Sequence, residues 1–280
     1  MKFKKLNNNE KMPFISFGVY EISPEETKNT VLNALEAGYT SFDNAQVYYN
    51  EKEVGEAIKE SEIPRDELFL TTKNWVSNSG YDKTIKAVNK SLQDLQTDYV
   101  DLMFIHEPFG DYYGSYRALE DLQKEGKVLS IGVSNFDMGR LIDLDMNNDI
   151  TPQVNQIETS PYVQQYEANE VMKSLGVVHQ SWGPLSDGVG SLLSNPILLE
   201  IAEKYGKSTG QVIFRWLIDR DIPFACRTIK PHRMKENIDV FDFKLNKKDI
   251  EKIKQLDGDE NPFEYLLDPE LAEEFNSERI

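Results

Sequence analysis

Residues 38–51 read GYTSFDNAQVYYNE, a short β-type run that ends at Asp43 and leads to Tyr48 five positions later. Two later stretches have the same form: residues 68–73 read LFLTTK and residues 100–106 read VDLMFIH. Each mostly apolar run ends in a group that can do chemistry, namely Asp43, Lys73 or His106. The C-terminal ends of neighbouring parallel strands lie at one edge of a sheet or barrel. We therefore expect these three side chains and Tyr48 to converge on one mouth.

Strand-like and helix-like segments alternate along the whole chain, a pattern typical of βα units around a parallel sheet of the α/β class. The expected core strands lie near residues 15–20, 40–43, 68–73, 100–105, 130–134, 153–157, 177–181 and 222–226. Eight such units in 280 residues predict a (β/α)8 TIM barrel rather than an open sheet. The turn-forming residues 7–10, which read NNNE, predict an N-terminal β-hairpin. No linker, repeat or low-complexity tract divides the chain, so we expect residues 1–280 to form one domain.

The C-terminal tail from Asp257 to Ile280 holds nine Asp or Glu residues and one Arg, with large apolar side chains between them. Two interpretations stay open. The tail is either a solvated surface segment or a C-terminal loop that closes over the barrel mouth.

The composition argues against several classes of partner. A formal net charge of −17 disfavours nucleic acid and anionic membranes. No apolar run approaches the roughly 20 residues of a membrane span, and the basic start of the chain is not followed by the apolar region of a signal peptide. The single cysteine, Cys226, cannot form an internal disulfide. Together these features predict a cytoplasmic location, and we predict no metal site.

The four mouth residues each have an ordinary structural explanation when taken alone. Asp43 would cap a helix, Lys73 would reach solvent, and His106 and Tyr48 would pack in the core or at the rim. Taken together they indicate a catalytic site, because a lysine that ends a buried strand needs a counter-charge and Asp43 supplies it.

Proton donation follows from this grouping. A free tyrosine titrates near about 10, and a neighbouring cation lowers that pKa, so Lys73 would make Tyr48 a better general acid. His106, as a neutral imidazole, would orient a carbonyl oxygen. No side chain supplies a hydride, so carbonyl reduction would need a cofactor.

These stretches resemble the motifs of the aldo-keto reductase superfamily, and the resemblance covers nearly the whole chain. The family pattern D-x-A-x-x-Y-x-N-E matches residues 43–51, which identifies Tyr48 rather than Tyr49 as the catalytic phenol. Further motifs match at Thr72-Lys73 and at residues 98–106, 126–136 and 154–158. The sequence as a whole is similar to the bacterial branch of the family that includes 2,5-diketogluconate reductases.

The resemblance implies that NADPH is the hydride donor, bound extended and without a Rossmann G-x-G-x-x-G motif. The sequence contains no such motif; residues 188–191, GVGS, lack its third glycine and are expected to form an ordinary loop. By the same resemblance Ser134, Asn135 and Gln156 would hold the nicotinamide carboxamide, and Trp182 would stack on the ring. The expected cofactor-binding residues also include Gly18, Val19, Tyr20, Pro184 and Leu185.

Residues 227–237, RTIKPHRMKEN, are the densest basic stretch of this acidic chain. They resemble the family segment that grips the 2′-phosphate, although the usual Pro-Lys-Ser is replaced here by Cys226-Arg227-Thr228. Arginine keeps the charge and adds bidentate geometry. The expected phosphate-side residues are Arg227, Thr228, Arg233, Glu236 and Asn237. We therefore expect NADPH to be preferred, with NADH used more weakly.

Three residues are expected to line the substrate pocket: Tyr20, Trp75 and Glu107. Glu107 stands where many family members carry tryptophan, so an aromatic wall is absent or a negative charge present. Since an unpaired buried carboxylate is costly, Glu107 is alternatively expected to turn to solvent or to an arginine. The implied substrates are aldehydes and small ketones, and the expected oligomeric state is a monomer.

Two other functions fit parts of the sequence. A non-catalytic NADPH-binding sensor or interaction protein of the same fold would have no need to keep all four mouth residues. A barrel hydrolase would use two strand-end carboxylates about 5–10 Å apart. It would leave Lys73 and Tyr48 without a role.

Overall fold

The structure, a computed structural model, describes residues 2–186, 192–258 and 262–280. Eight parallel strands close into a barrel in which the last strand pairs with the first. They are β3 (Ile15–Gly18), β4 (Ser41–Asp43), β5 (Phe69–Asn74), β6 (Leu102–Ile105), β7 (Ile131–Ser134), β8 (Val154–Glu158), β9 (Val178–Trp182) and β10 (Phe224–Cys226). The (β/α)8 prediction is therefore confirmed. The loop expected at residues 188–191 falls outside the described part of the chain, and the single domain stays a prediction.

Helices follow the strands around the outside of the barrel. They are α1 (Pro24–Ala37), α2 (Glu51–Glu60), α3 (Tyr81–Asp94), α4 (Tyr112–Lys124), α5 (Met138–Met146), α6 (Tyr166–Leu175), α7 (Pro196–Tyr205), α8 (Thr209–Asp219), α9 (Pro231–Ile238), α10 (Lys247–Lys254) and α11 (Pro269–Ser277). Within the described ranges, no helix combines the length and apolar character that crossing a membrane requires.

The predicted N-terminal hairpin is present and covers the bottom of the barrel. Strands β1 (Phe3–Lys5) and β2 (Lys11–Pro13) pair antiparallel around the turn. Leu6 and Met12 of this hairpin are buried in a small apolar cluster with side chains from the barrel strands. The hairpin thereby closes the end of the barrel opposite to the mouth, which leaves the C-terminal strand ends as the open face.

Strand register aligns the polar strand ends. Gly18 of β3 pairs with Asp43 of β4, and Asp43 pairs with Thr71 of β5. On the other side of the barrel, Gln156 of β8 pairs with Ser134 of β7 and with Gln180 of β9. Because register decides which face a side chain takes, these pairings determine which polar groups share the mouth.

Residues 262–280 of the C-terminal tail pack over the barrel mouth. Phe275 of α11 lies edge-on to Trp75, with ring centroids 5.5 Å apart, and to Phe109, at 5.7 Å. The Tyr265 hydroxyl donates a hydrogen bond of 2.9 Å to Glu107 Oε2. The tail therefore takes the second of the two expected arrangements, a segment closing over the pocket.

One close helix contact yields a stability prediction. A Cβ added at Gly55 of α2 would lie 2.5 Å from the backbone oxygen of Asp94 and 2.6 Å from the carbonyl carbon of Leu95. Neither backbone atom can turn away, so we expect Gly55→Ala to destabilise the fold by about 1–3 kcal/mol despite the better helix propensity of alanine. Thermal unfolding measures this. Gly210→Ala is the control, because its nearest contact would be at an ordinary 3.9 Å. Equal melting temperatures for the two variants would contradict the close contact.

Candidate active site

The structure brings the four predicted mouth residues together. Lys73, near the end of β5, forms a short ion pair with Asp43 at the end of β4. The Lys73 Nζ atom also lies 3.4 Å from the Tyr48 hydroxyl, to which it donates. His106 directly follows β6, and its ring centroid is 5.7 Å from that of Tyr48. A carboxylate, an ammonium, a phenol and an imidazole thus meet at one site.

Local backbone geometry separates Tyr48 from its neighbour Tyr49. A 3-10 helix over Gln46–Tyr48 ends at Tyr49, whose φ of 56° lies in the left-handed region. Tyr48 faces the site, whereas Tyr49 is 57% exposed. Gln46 anchors this turn, because its Oε1 accepts hydrogen bonds of 3.0 Å from the Trp75 backbone N–H and from the Asn78 amide. The turn therefore presents one tyrosine to the mouth and the other to solvent.

Lys73 remains charged in this site. Burial lowers its pKa, but the Asp43 charge and hydrogen bond outweigh burial, so the pKa of Lys73 lies above its ordinary value. The Lys73 ammonium also donates a hydrogen bond of 3.0 Å to the Asn44 carbonyl oxygen.

The expected lowering of the Tyr48 pKa is wrong for the net shift. Removal of the hydroxyl from water raises the pKa of Tyr48 to about 12, and the nearby Lys73 charge opposes this rise without overcoming it. Tyr48 is therefore a protonated phenol at neutral pH. Its partner Lys73 is placed to stabilise the phenolate once a proton has left.

His106 is a neutral imidazole, as expected. Burial and then the positive charge of Lys73 hold the pKa of His106 well below its ordinary value. Its ring is edge-on to Trp75, with centroids 5.2 Å apart. The Nδ1 atom is buried and has no hydrogen-bond partner within the described ranges.

Two glutamines support the ion pair, and one of them was missed from the sequence. The Gln156 Nε2 group donates to Asp43 Oδ2 at 2.7 Å and to Gln180 Oε1 at 3.0 Å. Gln156 was expected to hold a nicotinamide carboxamide, a role that stays a prediction. Gln180 could have been found from its position two residues before Trp182, at the end of the same strand.

The expected nicotinamide-side residues lie at the neighbouring strand ends. Ser134 is buried at the end of β7, and Asn135 follows it with φ 62°. The Trp182 indole Nε1 donates to Asn135 Oδ1 at 2.8 Å. Next to them, Pro184 is buried and Leu185 packs against the core. An aromatic plate and an amide are therefore held side by side.

Glu107 is buried, at 8% exposed, and within the described part of the chain it pairs with no arginine. That alternative expectation is wrong because Asn135 and Tyr265 occupy its two oxygens. Asn135 Nδ2 donates to Oε1 at 2.7 Å and the Tyr265 hydroxyl donates to Oε2 at 2.9 Å. Burial raises the pKa of Glu107 to about 8, while the Tyr265 and Asn135 hydrogen bonds oppose the shift.

The remaining candidates are Gly18, Val19 and Tyr20, at and just after the end of β3, and Trp75, which follows β5. Gly18 and Val19 are buried, and the Val19 carbonyl oxygen accepts a 3.0 Å hydrogen bond from the Asn50 amide. Tyr20 is half-exposed, with its ring centroid 5.0 Å from that of Tyr48. Trp75 is buried between His106 and the tail. Tyr20 and Trp75 thus lie beside Tyr48 and His106, and their place in a substrate pocket stays a prediction.

The basic stretch forms the loop after β10 and the helix α9. Arg227 is exposed and pairs with Glu21 at 3.0 Å, and Arg233 is exposed on α9. Asn237 is buried, with its amide directed to Cys226 Sγ at 3.9 Å. Two further expected residues, Thr228 and Glu236, are partly exposed beside them. Arg227 and Arg233 therefore present cations to solvent, whereas Asn237 packs inward.

The ion pair yields a second stability prediction. Lys73 is 1% exposed and Asp43 is 4% exposed, so removal of one partner leaves an uncompensated buried charge. We expect Lys73→Met to destabilise the fold by about 3–5 kcal/mol. The double variant Asp43→Asn/Lys73→Met should recover much of this loss. Urea unfolding at neutral pH tests the pair, and a double variant as unstable as the sum of the two single variants would contradict the coupling.

Comparison with known proteins agrees with this geometry. A family model described as the aldo/keto reductase family matches residues 15–258. The glyoxal reductase of Bacillus subtilis (strain 168) is 43% identical over 269 residues, which cover 94% of this chain and 97% of that protein. The crystal structure of MGS-M4, an aldo-keto reductase from a Medee basin deep-sea metagenome library, has a TM-score of 0.90 at 42% identity and covers 92% of this chain and 96% of that chain.

A third relative was solved with a nucleotide. The Bombyx mori aldo-keto reductase in complex with NADP has a TM-score of 0.87 at 32% identity, with 92% of this chain and 94% of that chain covered. With these matches over nearly its full length, this chain belongs to the aldo/keto reductase family and is an oxidoreductase that acts on carbonyl groups.

Proposed function

We propose that this protein reduces aldehydes and small ketones with NADPH, and that Tyr48 donates the proton. One observation carries the proposal. The Lys73 ammonium lies 3.4 Å from the Tyr48 hydroxyl and is also ion-paired with Asp43 inside the barrel mouth. This arrangement places a permanent positive charge beside a phenol that is protonated at neutral pH.

Tyr48 and His106 divide the work on the carbonyl oxygen. The neutral His106 ring donates a hydrogen bond that orients the oxygen, and Tyr48 transfers its proton to it. The phenolate left on Tyr48 is stabilised by the Lys73 charge, because the low-dielectric mouth strengthens that attraction. Lys73 therefore acts mainly on the product of proton transfer rather than on the resting acidity of Tyr48.

NADPH supplies the hydride when it is bound, and the strand-end residues fit its nicotinamide end. Trp182 offers a partly exposed indole whose orientation is fixed by its hydrogen bond to Asn135. Such an aromatic plate beside polar groups suits a flat carboxamide ring. The NADP complex of the Bombyx mori relative supports the same cofactor class.

The helix α9 fits the phosphate end of the cofactor. It begins at Pro231 after Lys230, and no side chain caps its N-terminus. Pro231 has no N–H and the Arg233 N–H bonds to the Lys230 carbonyl oxygen, so it is mainly the helix dipole that favours an anion at this end. Arg233 adds exposed positive charge there, and Arg227 would add more if a phosphate displaced its Glu21 partner; a chain of net charge −17 needs such a local basic patch for a phosphate.

The substrates we propose are small aldehydes and dicarbonyls. Tyr20 and Trp75 lie against Tyr48 and His106, and Phe275 and Phe109 extend this aromatic cluster outward from Trp75, which suits a small, weakly polar substrate. The similarity to a protein named glyoxal reductase supports this size class. We further propose that the protein acts as a cytoplasmic monomer.

Replacement of the phenol tests the proton donor. We expect Tyr48→Phe to lower kcat for glyoxal and methylglyoxal by about 10²–10⁴-fold, because the proton transfer is lost. The Kd for NADPH, followed by fluorescence, should change by less than about twofold. Tyr49→Phe is the matched control and should keep full activity, because Tyr49 faces solvent.

Two results would argue against this function. Full turnover by Tyr48→Phe would exclude Tyr48 as the proton donor. Tight NADPH binding by the unmodified protein without turnover of any carbonyl would favour the non-catalytic sensor.

The phosphate end has its own test. We expect Arg233→Ala to raise the Kd for NADPH by about tenfold or more and to leave the Kd for NADH nearly unchanged, because only NADPH carries the 2′-phosphate. Arg117→Ala on α4 is the control, since it removes the same charge from an exposed site on another face. Equal losses for NADPH and NADH would overturn the assignment of α9 to the 2′-phosphate.

A further inference from the structure

We propose that Glu107 is a positioning residue that couples the C-terminal segment, residues 262–280, to cofactor binding. It joins Tyr265 of that segment to the Asn135–Trp182 pair. This inference rests on the proposed NADPH function and extends it, since it adds a residue of the tail to the support of the nicotinamide site.

The coupling follows an unbroken line of hydrogen bonds. The Tyr265 hydroxyl donates to Glu107 Oε2 at 2.9 Å, and Asn135 Nδ2 donates to Glu107 Oε1 at 2.7 Å. The Trp182 indole donates to Asn135 Oδ1 at 2.8 Å. Four side chains from the tail, the loop after β6, the loop after β7 and the end of β9 are thus connected.

The chemistry of the donors fixes the direction of this line. An indole N–H is a donor only, so the Asn135 oxygen must face Trp182 and its amide nitrogen must face Glu107. A reversed amide would point its N–H groups at the indole N–H and its oxygen at the Glu107 carboxyl. The Trp182 indole and Glu107 thus hold the Asn135 amide from its two ends, and without Glu107 only the indole would hold it.

The backbone of Asn135 is held independently. Its N–H donates to the Gln156 carbonyl oxygen at 2.9 Å, and its φ of 62° lies in the left-handed region. The main chain at this position is therefore fixed by β8, and the side-chain amide is the part whose orientation depends on Glu107. A defect at Glu107 should accordingly change the cofactor site without unfolding the strand ends.

The burial of Glu107 explains why a residue of the C-terminal segment takes part in this line of hydrogen bonds. A carboxyl group that is 8% exposed needs partners for both oxygens, and the strand-end loops supply a donor to Oε1 only. Tyr265 supplies the second donor, from 158 residues further along the chain. Closure of the tail and ordering of Glu107 should therefore occur together.

The link tolerates one conservative change, which provides a rescue variant. Glutamine at this position keeps Oε1 as an acceptor for Asn135, and its Nε2 donates to the Tyr265 hydroxyl, which also accepts. Leucine removes both acceptors at similar volume. Glu107→Gln should therefore behave like the unmodified protein, whereas Glu107→Leu should not.

The test measures NADPH affinity by quenching of tryptophan fluorescence. We expect Glu107→Leu and Tyr265→Phe each to raise the Kd for NADPH by about five- to tenfold, and Glu107→Gln by less than about twofold. In the double variant Glu107→Leu/Tyr265→Phe, the loss should not exceed that of the larger single variant, since both changes break the same link. Tyr49→Phe is the control, because its 3.5 Å contact with Glu278 joins the tail at its exposed side.

A second readout follows the tail itself. Hydrogen exchange of residues 262–280 should slow when NADPH is added to the unmodified protein, and it should slow much less in Glu107→Leu. Thermal unfolding confirms that each variant is folded. Unchanged Kd values in folded variants, or a double variant whose losses add, would overturn the coupling alone. Absence of NADPH binding by the unmodified protein would instead overturn both the proposed function and the coupling.

Discussion

The buried ion pair between Lys73 and Asp43 is the constraint on which the site depends. Two opposite charges removed from water are tolerated only when their geometry is close and their remaining groups are hydrogen-bonded. β4 and β5 must therefore pair in one register, and Gln156 must reach across the barrel to the second oxygen of Asp43. The closed barrel satisfies both demands, because it brings strands that are far apart in sequence around one interior. The register that pairs β4 with β5 is therefore also what brings the charged groups of the site together.

Burial shifts the pKa values of the two groups beside this pair in opposite directions: it raises the pKa of Tyr48 and lowers the pKa of His106. It keeps Tyr48 protonated and His106 neutral, while the Asp43 charge keeps Lys73 positive. The resting site therefore holds two neutral hydrogen-bond donors beside a cation. Under the proposed function, such a site would stabilise an oxygen that gains negative charge, since the cation is already in place and needs no rearrangement. Lowering the resting pKa of the phenol is not required for this role.

The sequence was sufficient for the barrel and for the four mouth residues, because both follow from local patterns. Alternating βα segments predict the barrel, and a polar residue at the end of an apolar run marks a strand end. The partners of Glu107 could not be predicted in this way. Their contacts depend on side chains from distant elements, and the Tyr265 contact depends on the path of a tail that has no strand pattern. The net pKa of Tyr48 was also beyond the sequence, because it depends on how completely the hydroxyl is withdrawn from water.

Glu107 shows how one departure from the usual family residue extends through a structure. A tryptophan at this position would fill space and make at most one N–H hydrogen bond. A buried carboxyl group instead needs a hydrogen-bond partner for each oxygen, so its presence depends on Asn135 on one side and on Tyr265 on the other. The substitution is therefore not independent of the tail: replacing Tyr265 with an apolar residue would leave an unpaired acceptor beside the cofactor-side amide. In this chain the residue after His106, the tail above it and the indole beside it form one hydrogen-bonded unit.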